Sequence, residues 1–240
     1  MDFSNKQVVV TGGTGALGSA VVAGLLRSGA RCIVPFVHEA EAQRFVHRTD
    51  PNVTLVAVTD LADEAQVARL YTGLETSPSL WASIHIAGGF APGKVVDTDK
   101  AALMAQLNGN LVSCFLCCRA AVNAMRAGGQ VARLGGRIVN VASRQALEWR
   151  SGAGMSAYTI AKASVATLTT VLAEETAKEN ILVNAVAPSI MDTAANRAAM
   201  PKADFTAWPK VEEVAETILF LASPDNRVTR GAIVPVYGRA

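Results

Sequence analysis

The sequence predicts an α/β fold, a doubly wound three-layer sandwich on a seven-stranded, mostly parallel sheet. Three observations carry that prediction. Short apolar runs alternate with longer segments of helical period along almost the whole chain. The apolar runs are hydrophobic on both faces, as strands covered on both sides must be. A glycine-rich turn joins the first run directly to the first helical segment.

Taken in order, the strands are QVVVT (7–11), RCIVPFV (31–37), VTLVAV (53–58), WASIHIA (81–87), RIVNVA (137–142), ILVNAVA (181–187) and AIVPVY (232–237). The helices between them are 15–28, 39–48, 63–75, 98–126 with a break expected near Gly109, 156–179 and 211–222. Strict alternation of β and α implies right-handed crossovers and helices on both faces of the sheet. Pro35 and Pro235 each remove a ladder donor, so each is expected at a strand end or a sheet edge. No composition shift, proline-rich linker or repeat divides the chain, and 1–240 reads as one domain.

Half of the 240 residues are hydrophobic and 19 are glycine, which suits a chain with a large core. With 22 basic and 20 acidic residues the net charge is +2, so neither nucleic acid nor an anionic membrane is expected as main partner. The start, MDFSNKQVVVTGG, has no signal-peptide run, and no uninterrupted apolar stretch of about 18 residues suggests a membrane span. The expectation is a soluble, cytoplasmic protein. Of the four cysteines, Cys114 and Cys117 form a CxxC, but no second pair or histidine cluster accompanies it. Metal ligation is therefore not expected, and the thiols read as small core or interface residues.

In VVVTGGTGALGSAVVAGLL, Gly12 makes the tight turn and Gly18 lets the following helix approach the sheet. Backbone N–H groups around Thr14, Gly15, Ala16 and Leu17 lie at the helix N-terminus, which stabilises a pyrophosphate. The loop lacks a GK[ST] ending, so a dinucleotide is favoured over a nucleoside triphosphate. Selection between NAD and NADP usually rests on an acid at the end of the second strand. Here Phe36, Val37 and His38 stand there instead. Phe36 suits a flat wall beside adenine. His38 and Arg44 are within reach of a 2′-phosphate, so the cofactor is NADP or NAD with a slight lean to NADP.

The stretch SRQALEWRSGAGMSAYTIAK (143–162) holds a serine, a tyrosine and a lysine four residues beyond it. Tyr158 and Lys162 share a helix face, near the carboxyl edge of the sheet where ligands bind. A free tyrosine titrates at about 10, too high for acid–base work at neutral pH, and a nearby ammonium lowers that value. Ser143 is placed to donate to the same substrate oxygen.

Together, the TGxxxAxG loop, Asn110, Ser143 and Tyr158-x-x-x-Lys162 resemble the short-chain dehydrogenase/reductase family over essentially the whole chain. The resemblance implies a Rossmann-like domain and hydride transfer between a nicotinamide and a carbonyl or alcohol carbon. It implies Tyr158 as acid/base, Lys162 lowering its pKa and holding the nicotinamide ribose, Ser143 polarising the carbonyl, and Asn110 holding a relay water. Asp60, Leu61, Ala87 and Gly88 would also touch the cofactor. So would Pro188, Ile190 and Thr193 of APSIMDT (187–193), beneath the carboxamide. The resemblance further implies that the apolar outer helices around 110–126 and 156–179 pair across two-fold axes, as a homodimer or homotetramer.

The chain departs from the family after the fourth strand, where HIAGG replaces Asn-Asn-Ala-Gly. His85 reads as a packed residue. IAGGFAPG and MDTAANRAAMPKADFTAW are similar to segments of dihydropteridine reductases, which lack the serine present here as Ser143. The favoured reading is thus an oxidoreductase of the 3-oxoacyl reductase kind. The alternatives are a dihydropteridine-type reductase or a non-catalytic dinucleotide sensor, the latter having no use for the quartet. Arg144 and Trp149 are expected to rim the substrate mouth, with Met191 in a substrate lid over 189–210.

Overall fold

A computed structural model describes residues 1–76, 79–129 and 135–239, and every predicted strand lies in one sheet. The strands are β1 Gln7–Thr11, β2 Arg31–Phe36, β3 Val53–Ala57, β4 Leu80–His85, β5 Gly136–Val141, β6 Ile181–Pro188 and β7 Ile233–Val236. Every pairing between them is parallel, in the order β3-β2-β1-β4-β5-β6-β7. The order reverses direction between β1 and β4, and ligands of open α/β sheets bind at that switch point.

The helices are α1 Ala16–Arg27, α2 Glu39–Arg44, α3 Glu64–Tyr71, α4 Lys100–Leu107, α5 Ser113–Ala127, α6 Arg144–Leu147, α7 Ser156–Glu175, α8 Ala194–Ala199 and α9 Val211–Ala222. Successive strand residues enter opposite cores. Val9, Ile33, Ile138 and Val183 pack with Leu70, Met125 and Val165 of α3, α5 and α7. Val8, Val10, Val34 and Val139 pack with Val21 and Leu25 of α1 and Ile218 of α9. Full burial of each such side chain is worth about 1.5–3 kcal/mol, which is why the strands read as apolar runs rather than as alternations.

Pro235 lies on the edge strand β7, as expected, but Pro35 lies on the interior strand β2. The β1–β2 ladder ends at the Val9–Ile33 pair, while β2 stays paired to β3 through Pro35–Val56 and Phe36–Ala57. Arg31 N donates toward the β1 side, to Lys6 O, and Cys32 N toward the β3 side, to Asn52 O. By that alternation the donor Pro35 lacks would face β1, where the ladder has already stopped.

The expected break near Gly109 is absent. The helix runs on through a single π-helical turn, Asn108–Val112, between α4 and α5. Lys100–Ala127 is therefore 28 continuous residues, long and apolar enough by length and composition to cross a membrane, contrary to the sequence expectation. That expectation counted unbroken apolar runs, and here polar residues are interspersed. Cys117, Cys118 and Met125 of this helix are buried in the core that also holds Leu80 of β4 and Ile138 of β5. Two short elements were not foreseen: α6 beyond Ser143, and α8 inside 189–210.

Candidate active site

Two adjoining hollows open along the carboxyl edge of the sheet, sharing Leu17, Ile86 and Gly88. The larger, about 560 Å³, is lined by Gly12, Thr14, Gly15, Ala16, Leu17 and Gly18 of the β1–α1 turn. Phe36 and His38 from the end of β2, Asp60 and Leu61 after β3, and Ala87 and Gly88 after β4 complete it. Gly12 has φ +67, and a Cβ there would lie 2.7 Å from Ala87 N. A Cβ on Gly18 would lie 2.0 Å from Gly12 O. Only glycine closes this turn on α1 and on the loop after β4. The N-cap of α1 has no side-chain hydrogen bond and its first turn no acid, so its free N–H groups face an anion site unopposed. This cradle fits a dinucleotide pyrophosphate.

Arg44 does not line the cleft, so the expected second phosphate partner of His38 is missing. Glu41 lines it instead, with Oε2 accepting a hydrogen bond from Thr14 Oγ1 at 3.3 Å. Asp60 Oδ1 accepts from Ala62 N at 2.7 Å, which shapes the turn after β3.

The smaller hollow, about 220 Å³, gathers Asn110, Ser143, Tyr158 and Lys162, together with Pro188 and Met191. Ser143 follows β5. Its Oγ is buried with no hydrogen-bond partner among the described residues. Tyr158 lies on the first turn of α7. Burial raises its pKa above the ordinary tyrosine value, and the nearby Ser143 hydroxyl opposes that rise. The expected lowering by Lys162 is not seen. Lys162 Nζ donates to Val141 O at 2.8 Å and stands 6.0 Å from the centre of the Tyr158 ring. Lys162 is 6% exposed, and burial lowers its own pKa to about 8.

Asn110 sits in the π turn. Its Nδ2 donates to Gly89 O and to Gln106 O, both at 3.0 Å, while Oδ1 accepts from Gly89 N at 3.3 Å. The π turn thus carries the residue that ties the helix to the loop after β4.

Several expected contacts lie elsewhere. Ile190 is exposed and Thr193 caps α8 through Asn196 N, and neither lines either hollow. Arg144 is held by Glu148 at 2.7 Å and lies over the Tyr237 ring. Trp149 is exposed, with its indole N–H on Ala146 O. Neither lines the smaller hollow, since α6 and the 3-10 turn Trp149–Gly152 give each a partner within the loop. Phe90 and Ser189, which sequence reasoning passed over, line the smaller hollow instead. An aromatic flanked by glycine and proline in GGFAPG was the available signal for Phe90.

Behind the site, His85 is packed as expected, but with two hydrogen bonds of 2.8 Å, one to Ser83 Oγ and one to Asn140 Oδ1. Tyr71 OH to Ser83 at 2.7 Å and Asn140 Nδ2 to Thr169 at 2.9 Å extend the chain of bonds across β4 and β5. Ligand atoms of His85, Cys114 and Cys118 lie within 4.8 Å of one another. The imidazole there is already taken up by its neighbours.

The family model for short chain dehydrogenase matches residues 6–204. Cis-4-hydroxycyclohexanecarboxylate dehydrogenase of Sinomonas cyclohexanicum is 33% identical, covering 98% of this chain and 96% of its own. L-xylulose reductase of Bos taurus is 30% identical, with 98% and 96% covered. The crystal structure of gox2181 superposes with a TM-score of 0.88 at 28% identity, covering 99% and 96% of the two chains. The fold alone is shared with ElxO carrying bound NADP, at TM-score 0.85 and 24% identity over 98% of each chain. The chain belongs to the short-chain dehydrogenase/reductase family and is an NAD(P)-dependent oxidoreductase.

Proposed function

We propose that this enzyme interconverts a carbonyl compound and its alcohol in the smaller hollow, with Tyr158 as the acid/base. The observation that carries the reading is the buried, unpartnered Ser143 Oγ beside the Tyr158 hydroxyl, in a hollow that adjoins the pyrophosphate cradle. A substrate oxygen placed between these hydroxyls accepts a hydrogen bond from each. A bound nicotinamide supplies the hydride to the substrate carbon, or removes it in the reverse direction. In reduction Tyr158 gives its proton to the carbonyl oxygen, and in oxidation it takes the alcohol proton. Burial, which holds the phenol protonated, favours the donor role in the resting protein. Lys162, buried beside Tyr158, would hold the nicotinamide ribose of a bound dinucleotide. Asn110 anchors the loop after β4.

Thr14, Gly15, Ala16, Leu17, Phe36, His38, Asp60, Leu61, Ala87, Gly88 and Pro188 form the cofactor surface of this proposal. His38 and the absence of an acid at the end of β2 keep the lean to NADP, while Glu41 opposes it. The reaction is of the 3-oxoacyl reductase kind, with residues 189–210 as substrate lid. Phe115 and Val171, exposed on α5 and α7, suit pairing with another copy of the chain.

Tyr158→Phe tests the reading. Turnover should fall by about 10²–10⁴-fold, with dinucleotide affinity unchanged. Retained turnover would remove Tyr158 from the mechanism.

A further inference from the structure

The loop after β4 is an arch with two fixed feet. At one foot Gly89 is bonded through both its N–H and its carbonyl to Asn110. At the other, Gly93 N donates to Gly154 O at 2.7 Å and Gly93 O accepts from Ser156 N at 3.0 Å. That second foot stands at the start of α7, two residues before Tyr158. Between the feet, Phe90 is 59% exposed and stands edge-on to the Tyr158 ring, with centroids 5.1 Å apart and planes at 84°. A large apolar side chain left wet on a pinned backbone beside a reactive hydroxyl marks a ligand contact rather than a core contact.

The charges around the mouth point the same way. Lys162 is the only cation among the described residues lining the hollow, and its ammonium is committed to Val141 O. Arg197 is held by both carboxylate oxygens of Asp192, at 2.6 and 2.8 Å. Arg239 donates to Thr206 O, and Arg144 is paired with Glu148. Ser189 Oγ already donates to Tyr237 O at 2.8 Å. Among the described residues lining the hollow, none offers a free cation to a substrate carboxylate, which would lose its water there.

Resting on the proposed carbonyl chemistry, we infer that Phe90 is a substrate-binding residue, and that the site takes a neutral ketone or alcohol carried on a flat apolar ring. The ring lies between Phe90 and Met191, and the oxygen reaches Ser143 and Tyr158.

The test uses the Tyr158→Phe protein saturated with its preferred reduced dinucleotide, so that ligands bind without turnover. Affinities are measured calorimetrically for acetophenone and for its carboxylate analogue, 4-acetylbenzoate. Acetophenone should bind at least roughly tenfold tighter, reflecting the cost of an unpaired buried charge. Adding Phe90→Ala should weaken acetophenone roughly fivefold and leave dinucleotide affinity unchanged, and Phe90→Tyr should restore binding. In the otherwise native enzyme Phe90→Ala should raise KM for a ring ketone more than it lowers kcat. Equal or tighter binding of the carboxylate, no acetophenone binding, or indifference to Phe90→Ala overturns the inference. Phe90-dependent ketone binding without turnover by the native enzyme would instead sink the carbonyl chemistry and leave the ring site standing.

Discussion

Asn110 and Gly89 grip each other through two hydrogen bonds, the side-chain amide donating to the glycine carbonyl at 3.0 Å and accepting from its N–H at 3.3 Å. With a third bond to Gln106 O, both ends of the side-chain amide are spent on backbone. Asn110 is thus a positioning residue for the loop that carries Gly88 and Phe90. Asn110→Ala removes three part-buried hydrogen bonds to backbone groups that water can still reach, and should cost about 0.5–1.5 kcal/mol of stability. Urea denaturation checks this. A loss too small to detect would mean that water replaces the amide and that the side chain does not anchor the loop.

Lys162 makes the empty protein less stable near neutrality. Its pKa falls from the ordinary 10.5 to about 8 because burial penalises the ammonium. Between those two values the unfolded chain binds more protons than the folded one, so this contribution to stability rises with pH across that window. Below about pH 8 the whole penalty is present, roughly 3 kcal/mol. Lys162→Met should therefore raise Tm at pH 7 by several degrees, at about 2–4 °C per kcal/mol, and the advantage should shrink towards pH 10.5. Activity should be lost at the same time. Thermal melts of both proteins across that range decide the matter, and a lower Tm for the variant at pH 7 contradicts the burial argument.

Glu41 sets a limit on the preference for a 2′-phosphate. Its carboxylate shares the end of the cleft with Phe36 and His38. A like charge about 4 Å away in water costs about 1 kcal/mol. Glu41→Gln should shift the ratio of NADH to NADPH dissociation constants about fivefold towards NADPH, and less at high salt. Fluorescence titration with both dinucleotides reads this directly. An unchanged ratio would place the ribose away from Glu41.

The seven strands, both cores and the glycine turn were readable in the sequence because they rest on periodicity and on steric rules that act locally. Val8, Val9 and Val10 announce a strand buried on two sides, and Gly12 and Gly18 admit no side chain. The pairing of Tyr158 with Lys162 was readable as spacing, and Asn110 and Ser143 as part of a family resemblance. The electrostatics of that pair were not, since the pull of Lys162 on Tyr158 depends on where an ammonium points, and it points at Val141 O. Arg144 and Trp149 misled for a related reason: the loop read as rimming the substrate mouth folds into α6 and a 3-10 turn, where Arg144 pairs with Glu148 and Trp149 with Ala146 O. Glu41 was hidden because nothing in a sequence says which exposed side chain a short helix will present to a cleft, and Phe90 left only its place between glycine and proline as a signal.

The π turn at Asn108–Val112 holds one residue more per turn than the helix on either side of it. Losing a single residue there would let the backbone relax into unbroken α-helix, rotating Asn110 by about 100° relative to one flank and carrying it off Gly89. Substitutions along α5 meet the core one side chain at a time, but a one-codon deletion in these five residues would disconnect the helix from the arch over Tyr158 at a stroke. In this stretch the number of residues matters to the site as much as their identity.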